Sequence, residues 1–324
     1  MDKIKIAIIG YGNLGRGAEK AINLTEDMEL VGIFTRRNPD DIDSKSKVYH
    51  MDELLEHKGI IDVCILCGGS ATDLQVQGPE ISKHFNTVDS FDTHAKIPEY
   101  FELLDKSAKE GGNLSIISTG WDPGLFSMNR LLAEAILPVG DTHTFWGKGV
   151  SQGHGDAIRR IDGVKNAVQY TIPIEETIER IKNGEKLELG PREKHKRICY
   201  VVPKENADLE IIEQTIVNMP NYFADYDTEV NFISEEELLK NHSGISHGGR
   251  VIRIGNTSED TKQVYEFSLE LGSNPEFTAS VNVAFARAIH RMSREGKIGA
   301  VTVFDIPLSY LSQMSPEDQR KLIL

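Results

Sequence analysis

The sequence predicts a two-domain α/β protein, in which a doubly wound parallel sheet is followed by an α+β domain. The chain has 324 residues, more than a single hydrophobic core usually accommodates. Five apolar, β-branched runs alternate with helical or loop segments up to about residue 120, which is the spacing of βαβ units. From residue 121 onward, runs of alternating polarity lie between charged helical stretches, as in an α+β domain.

The predicted elements follow one another in a simple order. The runs of the first domain, residues 1–120, are KIKIAII, ELVGIF, IDVCIL, TVDSF and LSIIS. Those of the second, residues 121–297, are THTFWGKG, AVQYTIPI, KRICYVVP, TEVNFIS and RVIRIG. A late helix carries apolar side chains at helical spacing, namely Phe277, Val281, Ala284, Phe285, Ala288, Ile289 and Met292. Residues 298–324 are expected to return to the first domain.

Charge and composition limit the possible partners. The formal net charge of −14 argues against nucleic acid and against an anionic membrane surface. The first apolar run is too short for a secretion signal and no later run approaches a membrane span, so we expect a cytoplasmic protein. Cys64 and Cys67 form a CxxC without a second pair of zinc ligands. Both cysteines are predicted to be structural, and no metal is expected.

Three glycines follow the first strand at GxGxxG spacing: Gly10, Gly12 and Gly15. A strand runs directly into them and an apolar helix follows, which is the context of a Rossmann-type dinucleotide site. The first glycine allows a tight turn, the second leaves space for pyrophosphate, and the third lets helix and strand pack closely. The amides at the start of the helix then bind the phosphates. An ordinary strand–turn–helix is the alternative interpretation.

The end of the second strand carries Thr35, Arg36 and Arg37 instead of an acid. An NAD site of this type places Asp or Glu there to bind the ribose hydroxyls. A carboxylate would repel a 2′-phosphate, whereas Arg36 can bind it with two hydrogen bonds and stack on adenine. Arginines in place of the acid predict NADP as the cofactor. The alternative interpretation is that the two arginines lie in an ordinary solvated turn.

The third strand ends in LCGGSATDL, where the carboxyl edge of a parallel sheet would border a cofactor. Its small residues Gly68, Gly69, Ser70 and Ala71 favour close approach of a ligand. A plain strand–helix loop remains a credible alternative for any one of them.

Seven motifs then occur in order along the chain: GYGNLG, FTRR, CGGSATD, DSFDTH, STGWDPG, FWGKGVSQGHGDAIRR and NPEFTAS. Together they resemble the meso-diaminopimelate dehydrogenase family, and STGWDPG with SQGHGDAIRR is the most specific part. The resemblance implies reversible, NADP-dependent oxidative deamination of the D-centre of meso-2,6-diaminopimelate. The products would be ammonia and L-2-amino-6-oxopimelate, which cyclises to tetrahydrodipicolinate. A homodimer and a role in lysine and peptidoglycan precursor biosynthesis are also implied.

The resemblance assigns site residues by position. The implied catalytic acids are Asp92 and Asp122. The implied cofactor-binding residues are Gly10, Tyr11, Gly12, Asn13, Leu14, Gly15, Thr35, Arg36, Arg37, Cys67, Gly68, Gly69, Ser70, Ala71, Ser90, Phe91, Asp92, Thr119, Gly120, Trp121, Asp122 and Pro123. The implied substrate-binding residues are Asp92, Asp122, Trp121, Trp146, Gln152, Gly153, Asp156, Thr171, Arg197, His247 and Asn274. Arg197, Thr171 and His247 would hold the distal amino acid group of the small-molecule substrate.

Four of these residues also have a simpler interpretation. Asp92 could cap the following helix or form an Asx-turn, and Asp122 could belong to a turn. Arg197 could be one charge of a basic surface run, and His247 a loop histidine. His154 stays outside the catalytic set, because a solvated loop histidine is an equally good interpretation.

Two other functions fit parts of the pattern. An NADP oxidoreductase acting on a sugar or hydroxy acid would share the fold, but AKIP at residues 95–98 resembles the catalytic lysine motif of such enzymes only distantly. A non-catalytic NADPH-sensing module would not need the polar set from Asp92 to His247.

Overall fold

The computed structural model describes residues 3–324. The chain forms two compact units, one of Met1–Met128 with Pro275–Leu324 and one of Asn129–Asn274. Both boundaries differ from the predicted positions after residues 120 and 297, because two long helices carry their apolar faces into the core of the parallel sheet. Leu125 and Met128 of one helix pack against this core, and Phe285 and Ile289 of the other lie within it.

The strands are β1 (Ile4–Ile9), β2 (Met28–Thr35), β3 (Val48–His50), β4 (Val63–Leu66), β5 (Asn86–Asp89), β6 (Leu114–Ile116), β7 (Gly140–Trp146), β8 (Gly149–Val150), β9 (Val164–Pro173), β10 (His195–Pro203), β11 (Asp227–Phe232), β12 (His247–Ser258), β13 (Thr261–Leu271) and β14 (Gly299–Val301).

The α-helices are α1 (Asn13–Asn23), α2 (Gln75–Ser82), α3 (Ile97–Gly111), α4 (Leu125–Ile136), α5 (Gln152–Arg159), α6 (Glu175–Lys182), α7 (Pro191–Lys194), α8 (Leu209–Val217), α9 (Glu235–Asn241), α10 (Asn274–Arg294), α11 (Leu308–Leu311) and α12 (Pro316–Leu322). Within residues 3–324, no helix combines the length and the apolar character that crossing a membrane requires.

The first unit contains a parallel sheet with the strand order β14-β6-β5-β4-β1-β2-β3. All five predicted runs of this half form strands, so the predicted fold class is confirmed. The C-terminal strand β14 pairs with β6, with Ala300 opposite Ser115. Sequence patterning missed β3, because a strand of only three residues has no readable alternation.

Both faces of this sheet are covered. Ile6 and Ile8 of β1 belong to the core that includes α1 and α10, whereas Ala7 and Ile9 belong to the opposite core, with α2 and α3. Burial on both sides explains why β4, and β1 from Ile6 onward, are apolar throughout rather than alternating. The carboxyl ends of β1, β2, β4, β5 and β6 meet at one edge, where ligands of such sheets bind.

The second unit is built on two separate sheets, as the α+β prediction expects. One has the order β11-β10-β9-β8, with β10 and β11 parallel and the other pairs antiparallel. The other is the antiparallel sheet β13-β12-β7. Ala167 and Cys199 of the first sheet pack with Ile158 of α5 and Ile212 of α8. Strand β13 was not among the predicted runs, although it pairs with nearly the whole of β12.

Candidate functional site

The glycine-rich turn after β1 has the geometry that a dinucleotide site needs. Gly10 has a φ of +91° and its amide donates to the Phe34 carbonyl at 2.8 Å. A Cβ on Gly15 would lie 2.3 Å from the Gly10 oxygen, so only glycine allows helix and turn to pack this closely. A Cβ on Gly12 would meet nothing within 4 Å, which leaves its surface open to a ligand.

The first turn of α1 is available to an anion. The Arg16 amide donates to the Gly12 carbonyl at 3.0 Å, so the amides of Asn13, Leu14 and Gly15 precede the helical hydrogen bonds. No side chain caps this end of the helix. Free amides and the positive end of the helix dipole fit a pyrophosphate group.

Arg36 and Arg37 lie beside a cavity of about 330 Å³ that the glycine-rich turn also lines. Arg36 Nη2 forms an ion pair with Asp73 Oδ1, and the Arg36 side chain is 67 % exposed. The Arg37 guanidinium donates to the Tyr11 carbonyl at 2.5 Å, and the Arg37 amide donates to Thr35 Oγ1 at 3.2 Å. An exposed guanidinium held at the rim of the cavity fits a 2′-phosphate.

Asp73 also organises the loop after β4. Its Oδ2 accepts from the Gly69 amide and from Thr72 Oγ1, both at 3.0 Å. The hydrogen bonds to Gly69, Arg36 and Thr72 hold the pKa of Asp73 below its usual value, against an opposing effect of burial. Burial raises the pKa of Cys67, at the start of this loop, to about 12, so its thiol is protonated at neutral pH.

Asp92 follows β5 and has an exposed side chain. Its amide donates to Ser70 Oγ at 3.1 Å, which ties the loop after β5 to the loop after β4. Helix α3 begins at Ile97 with Lys96 at the N-cap, and Thr93 precedes a short 3₁₀ turn. The capping alternative for Asp92 is therefore wrong.

Asp122 follows β6 in a tight turn, and its peptide bond to Pro123 is cis. The turn needs glycine at both ends, because Gly120 has a φ of +146° and a Cβ on Gly124 would lie 2.0 Å from the Gly120 oxygen. Trp121 is 8 % exposed and its ring meets Phe126 edge-on at 5.2 Å. Asp122 itself is half-buried and directly follows the buried Trp121.

In the second unit, Arg197 of β10 is 7 % exposed, so the surface-run alternative is wrong. Its Nη1 donates to Thr171 Oγ1 and its guanidinium carbon lies 4.0 Å from the centre of the Tyr226 ring. Its Nε is buried without a hydrogen-bond partner. Burial lowers the pKa of Arg197, and within residues 3–324 no carboxylate lies within ion-pair distance. A buried cation with unused donors has the chemistry to bind an anion.

The strand register explains how this group is assembled. Thr171 of β9 lies opposite Arg197 in the antiparallel pair, and Thr228 of β11 lies opposite it in the parallel pair. Directly paired residues point to the same face of a sheet. The buried Thr228 hydroxyl also lacks a hydrogen-bond partner. Two hydroxyls therefore flank one guanidinium on the covered face of the sheet.

Two histidines lie close to Arg197. His154 belongs to α5 and not to a loop, and its Nδ1 lies 2.7 Å from Ser151 Oγ. Burial, followed by the charge of Arg197, lowers the pKa of His154 to about 4. Burial likewise lowers the pKa of His195 to about 3, and its Nε2 accepts from the Trp146 amide at 2.8 Å. Both rings are neutral at neutral pH.

The remaining predicted residues occupy element ends. Gln152 and Gly153 form the exposed first turn of α5, whereas Asp156 pairs with Arg159 within the same helix. His247 begins β12 rather than lying in a loop, and Asn274 begins α10. The Trp146 ring, 38 % exposed, stacks on His195 at 5.4 Å.

Sequence reasoning missed several participants. Asp73 lies within the CGGSATD motif, but no neighbouring residue distinguishes it from the other 49 of the chain's 50 acidic residues. Tyr226 and Thr228 lie 29 and 31 residues beyond Arg197, and only the pairing of β10 with β11 brings Thr228 beside it. His195 immediately precedes the predicted run KRICYVVP, and its alternation with Arg197 places both side chains on one face of β10.

Comparisons with known proteins agree with this geometry. A profile of the family described as diaminopimelic acid dehydrogenase C-terminal domain matches residues 120–273. The meso-diaminopimelate D-dehydrogenase of Ureibacillus thermosphaericus is 61 % identical over 326 residues, which cover 100 % of both chains. The crystal structure of the Corynebacterium glutamicum DAP dehydrogenase in complex with DAP has a TM-score of 0.93 and 45 % identity, and covers 100 % of both chains.

A further solved structure, an engineered D-amino acid dehydrogenase bound to NADP⁺, has a TM-score of 0.88 and 43 % identity, and covers 99 % of this chain and 100 % of its own. Full-length identity of this extent confirms the resemblance inferred from the motifs. The family membership also agrees with a parallel-sheet unit whose glycine-rich turn has the geometry of a dinucleotide site. The chain therefore belongs to the meso-diaminopimelate dehydrogenase family of oxidoreductases.

Proposed function

We propose that the protein catalyses the reversible, NADP-dependent oxidative deamination of the D-centre of meso-2,6-diaminopimelate. The products are ammonia and L-2-amino-6-oxopimelate, which cyclises to tetrahydrodipicolinate. The relative from Ureibacillus thermosphaericus carries the name of this activity, and the Corynebacterium glutamicum structure is a complex with DAP.

The observation that carries the substrate assignment is the environment of Arg197. Its guanidinium is buried, flanked by the Thr171 and Thr228 hydroxyls and the Tyr226 ring, and lacks a carboxylate partner within the described chain. Burying such a charge is costly unless a ligand neutralises it. A dicarboxylate that carries an amino acid group at each end supplies the missing anion, and His247 is assigned to the same distal group by the resemblance.

The first unit supports NADP as the cofactor. The free amides of α1 and the open surface at Gly12 suit a pyrophosphate, and Arg36 suits a 2′-phosphate. When bound, NADP supplies the hydride acceptor of the reaction. An acid at the position of Arg36 would instead favour NAD.

Asp92 and Asp122 are proposed to act on the reactive end of the substrate. One carboxylate holds the ammonium and takes up a proton, so that the amine is neutral when the carbon–nitrogen double bond forms. The other orients the water that attacks this bond. Trp121 provides an apolar wall that excludes other water.

The assay is the rate of NADPH formation with meso-diaminopimelate, its LL isomer and D-alanine, each with NADP and with NAD. We expect NADPH with the meso isomer, little activity with the LL isomer, which lacks a D-centre, and a much lower kcat/KM with D-alanine. Equal kcat/KM for D-alanine and meso-diaminopimelate would refute the distal site. A lack of NADPH with the meso isomer would refute the proposed activity.

We further propose that the enzyme is a cytoplasmic homodimer that serves lysine and peptidoglycan precursor synthesis. The support is the family membership established above. Sedimentation equilibrium of the purified protein should give twice the chain mass of 36.1 kDa. A sedimenting mass equal to a single chain would contradict the dimer.

A further inference from the structure

A buried carboxylate lies directly beneath the two loops that carry the candidate catalytic acids. Asp89, the last residue of β5, is 0 % exposed. Its Oδ1 accepts from the Phe91 amide at 2.9 Å and from the Ser118 amide at 3.1 Å. Its Oδ2 accepts from Tyr100 Oη at 2.7 Å. The Asp89 carboxylate thus accepts hydrogen bonds from the backbone of two loops and from the Tyr100 side chain of α3.

The two loop amides stand next to the reactive positions. Phe91 immediately precedes Asp92, and Ser118 lies four residues before Asp122. The backbone carbonyl of Asp89 adds two further bonds, accepting from the Thr119 amide at 2.9 Å and from Thr119 Oγ1 at 2.8 Å. Asp89 is therefore the direct hydrogen-bonded link between the two loops.

The loop after β6 depends on this link for its shape. Ser118 has a φ of +58°, in the left-handed region that a non-glycine residue adopts at a cost of about 1 kcal/mol or more. The hydrogen bond from its amide to Asp89 and those of Thr119 hold it there. The Phe91 and Tyr100 rings, which belong to two of the residues that donate to Asp89, stack with their centres 4.1 Å apart.

A carboxylate is an expensive choice for a fully buried position, because burial disfavours its charged form. Burial raises the pKa of Asp89 to about 6, even though its three hydrogen-bond donors oppose the shift. A residue needed for core stability alone would be apolar at this place. What an apolar residue could not supply is one rigid acceptor for two amides from different loops.

We propose that Asp89 is a positioning residue of the reaction, which sets the distance and orientation between the Asp92 and Asp122 loops. This inference rests on the proposed function of those two acids. It assigns Asp89 no contact with substrate or cofactor. Because the two loops also carry Phe91 and Thr119, which the resemblance assigns to the cofactor, the fall in kcat should exceed any rise in KM.

The test compares three variants of the full-length enzyme. Asp89→Ala leaves both loop amides without their acceptor, Asp89→Asn keeps an oxygen for them, and Tyr100→Phe removes the third hydrogen bond while both loop amides stay bound. We expect Asp89→Ala to lower kcat at least 100-fold, with KM for NADP within two-fold of wild type. Asp89→Asn should stay within about five-fold of wild type, and Tyr100→Phe within two-fold although its Tm falls.

Isotope effects sharpen the comparison. With meso-diaminopimelate deuterated at the D-centre, the effect on kcat should be larger for Asp89→Ala than for wild type, because the chemical step becomes rate-limiting. Should Asp89→Ala not fold, Asp89→Ser replaces it and carries the same expectation. Near-normal kcat in the folded Ala or Ser variant would overturn the proposal. A loss of kcat in Tyr100→Phe as large as that in Asp89→Ala would also overturn the proposal. A wild-type enzyme without activity on meso-diaminopimelate would instead refute the proposed function on which the inference rests.

Discussion

Arg36 in the first unit and Arg197 in the second are both assigned to anionic groups of ligands, yet their surroundings are opposite. The Arg36 side chain is 67 % exposed and already has an acidic partner, Asp73. Arg197 is 7 % exposed, lies on an aromatic ring and donates to the Thr171 hydroxyl, and within residues 3–324 its Nε has no hydrogen-bond partner. The same chemical group is therefore placed in water with a counterion, and in the interior without one.

The difference predicts how much each arginine contributes. An exposed ion pair contributes about 0–1 kcal/mol. When Arg36 exchanges Asp73 for a phosphate, the free energy of cofactor binding therefore changes only moderately. A buried cation interacts with its anion in a medium of low dielectric constant, and loss of such a partner costs about 2–5 kcal/mol. If the proposed function is right, the second unit holds a site prepared before the substrate binds, whereas in the first unit Arg36 must exchange Asp73 for the phosphate of the cofactor.

The first test asks whether the chemistry, as distinct from anion binding, belongs to the first unit. Asp92→Asn and Asp122→Asn each remove a charge and keep the side-chain shape. At least one should lower kcat by about 10²–10⁴-fold, the usual contribution of a general acid or base. Glu99→Gln, an exposed acid of α3, is the control and should have wild-type kcat. Near-normal kcat in both aspartate variants would leave the two residues with turn and loop roles only.

The second test removes the buried cation. Arg197→Met should lower kcat/KM for meso-diaminopimelate by about 30-fold to several thousand-fold, mainly through KM, which corresponds to 2–5 kcal/mol. The KM for NADP should change little. The ratio of kcat/KM for meso-diaminopimelate to that for D-alanine should fall, because D-alanine cannot reach the distal site and loses nothing. Lys196→Met is the matched control, since it removes the same charge from the neighbouring, exposed position of β10. Unchanged binding of meso-diaminopimelate by Arg197→Met would reopen the substrate assignment.

The third test removes the exposed cation. Arg36→Ala should raise KM for NADP by about 10- to 100-fold, because a charge-assisted hydrogen bond contributes about 1.5–3 kcal/mol. KM for NAD should stay within two-fold, and the effect on NADP should weaken as salt rises, since the pair is exposed. Comparing both cofactors in one preparation provides the control. Equal losses for NADP and NAD would mean that Arg36 does not bind the 2′-phosphate.

The same contrast separates what the sequence could predict from what it could not. The glycines at positions 10, 12 and 15 and the arginine after β2 are local signals, because the turn and strand end that they define lie within one βαβ unit. Five strands of the parallel sheet were equally local, since each lies in a short run rich in apolar and β-branched residues. The resemblance added the distal residues, but not their surroundings.

What was missed depends on contacts between distant parts of the chain. Thr228 stands beside Arg197 only through the register of β10 with β11, and a shift of one residue would turn it to the other face. In the sequence, Asp89 is an ordinary residue at the end of a strand. Its role depends on the loop after β6, whose Ser118 amide donates to its carboxylate. Neither relation leaves a periodic signal in the sequence.

The two units also differ in the charge state of their buried titratable groups, and pH should reveal it. In the second unit, burial lowers the pKa of His154 to about 4 and that of His195 to about 3. Between these values and 6.5, the unfolded chain binds protons that the folded unit does not, so acid destabilises it. In the first unit, burial raises the pKa of Asp89 to about 6, so this group takes up a proton in the folded state first and stabilises it as pH falls from 6 toward 4. Burial lowers the pKa of His290 in α10 of the same unit, which opposes part of this gain.

Lowering the pH from 7 to 5 should therefore weaken the second unit more than the first. Each histidine contributes about 1.4 kcal/mol per pH unit below 6.5, or about 2 kcal/mol at pH 5, which together lower an unfolding midpoint by about 8–16 °C. The two tryptophans, one in each unit, report separately: Trp121→Phe leaves Trp146, and Trp146→Phe leaves Trp121. Fluorescence melts should show the Trp146 midpoint falling with acid well beyond the Trp121 midpoint. His154→Asn in the Trp121→Phe background should reduce that fall, because one of the unit's histidines with a lowered pKa no longer titrates, while His195, His143 and His242 still do. Coincident midpoints at both pH values would mean that the units unfold together and that the difference in buried charge does not set their separate stabilities.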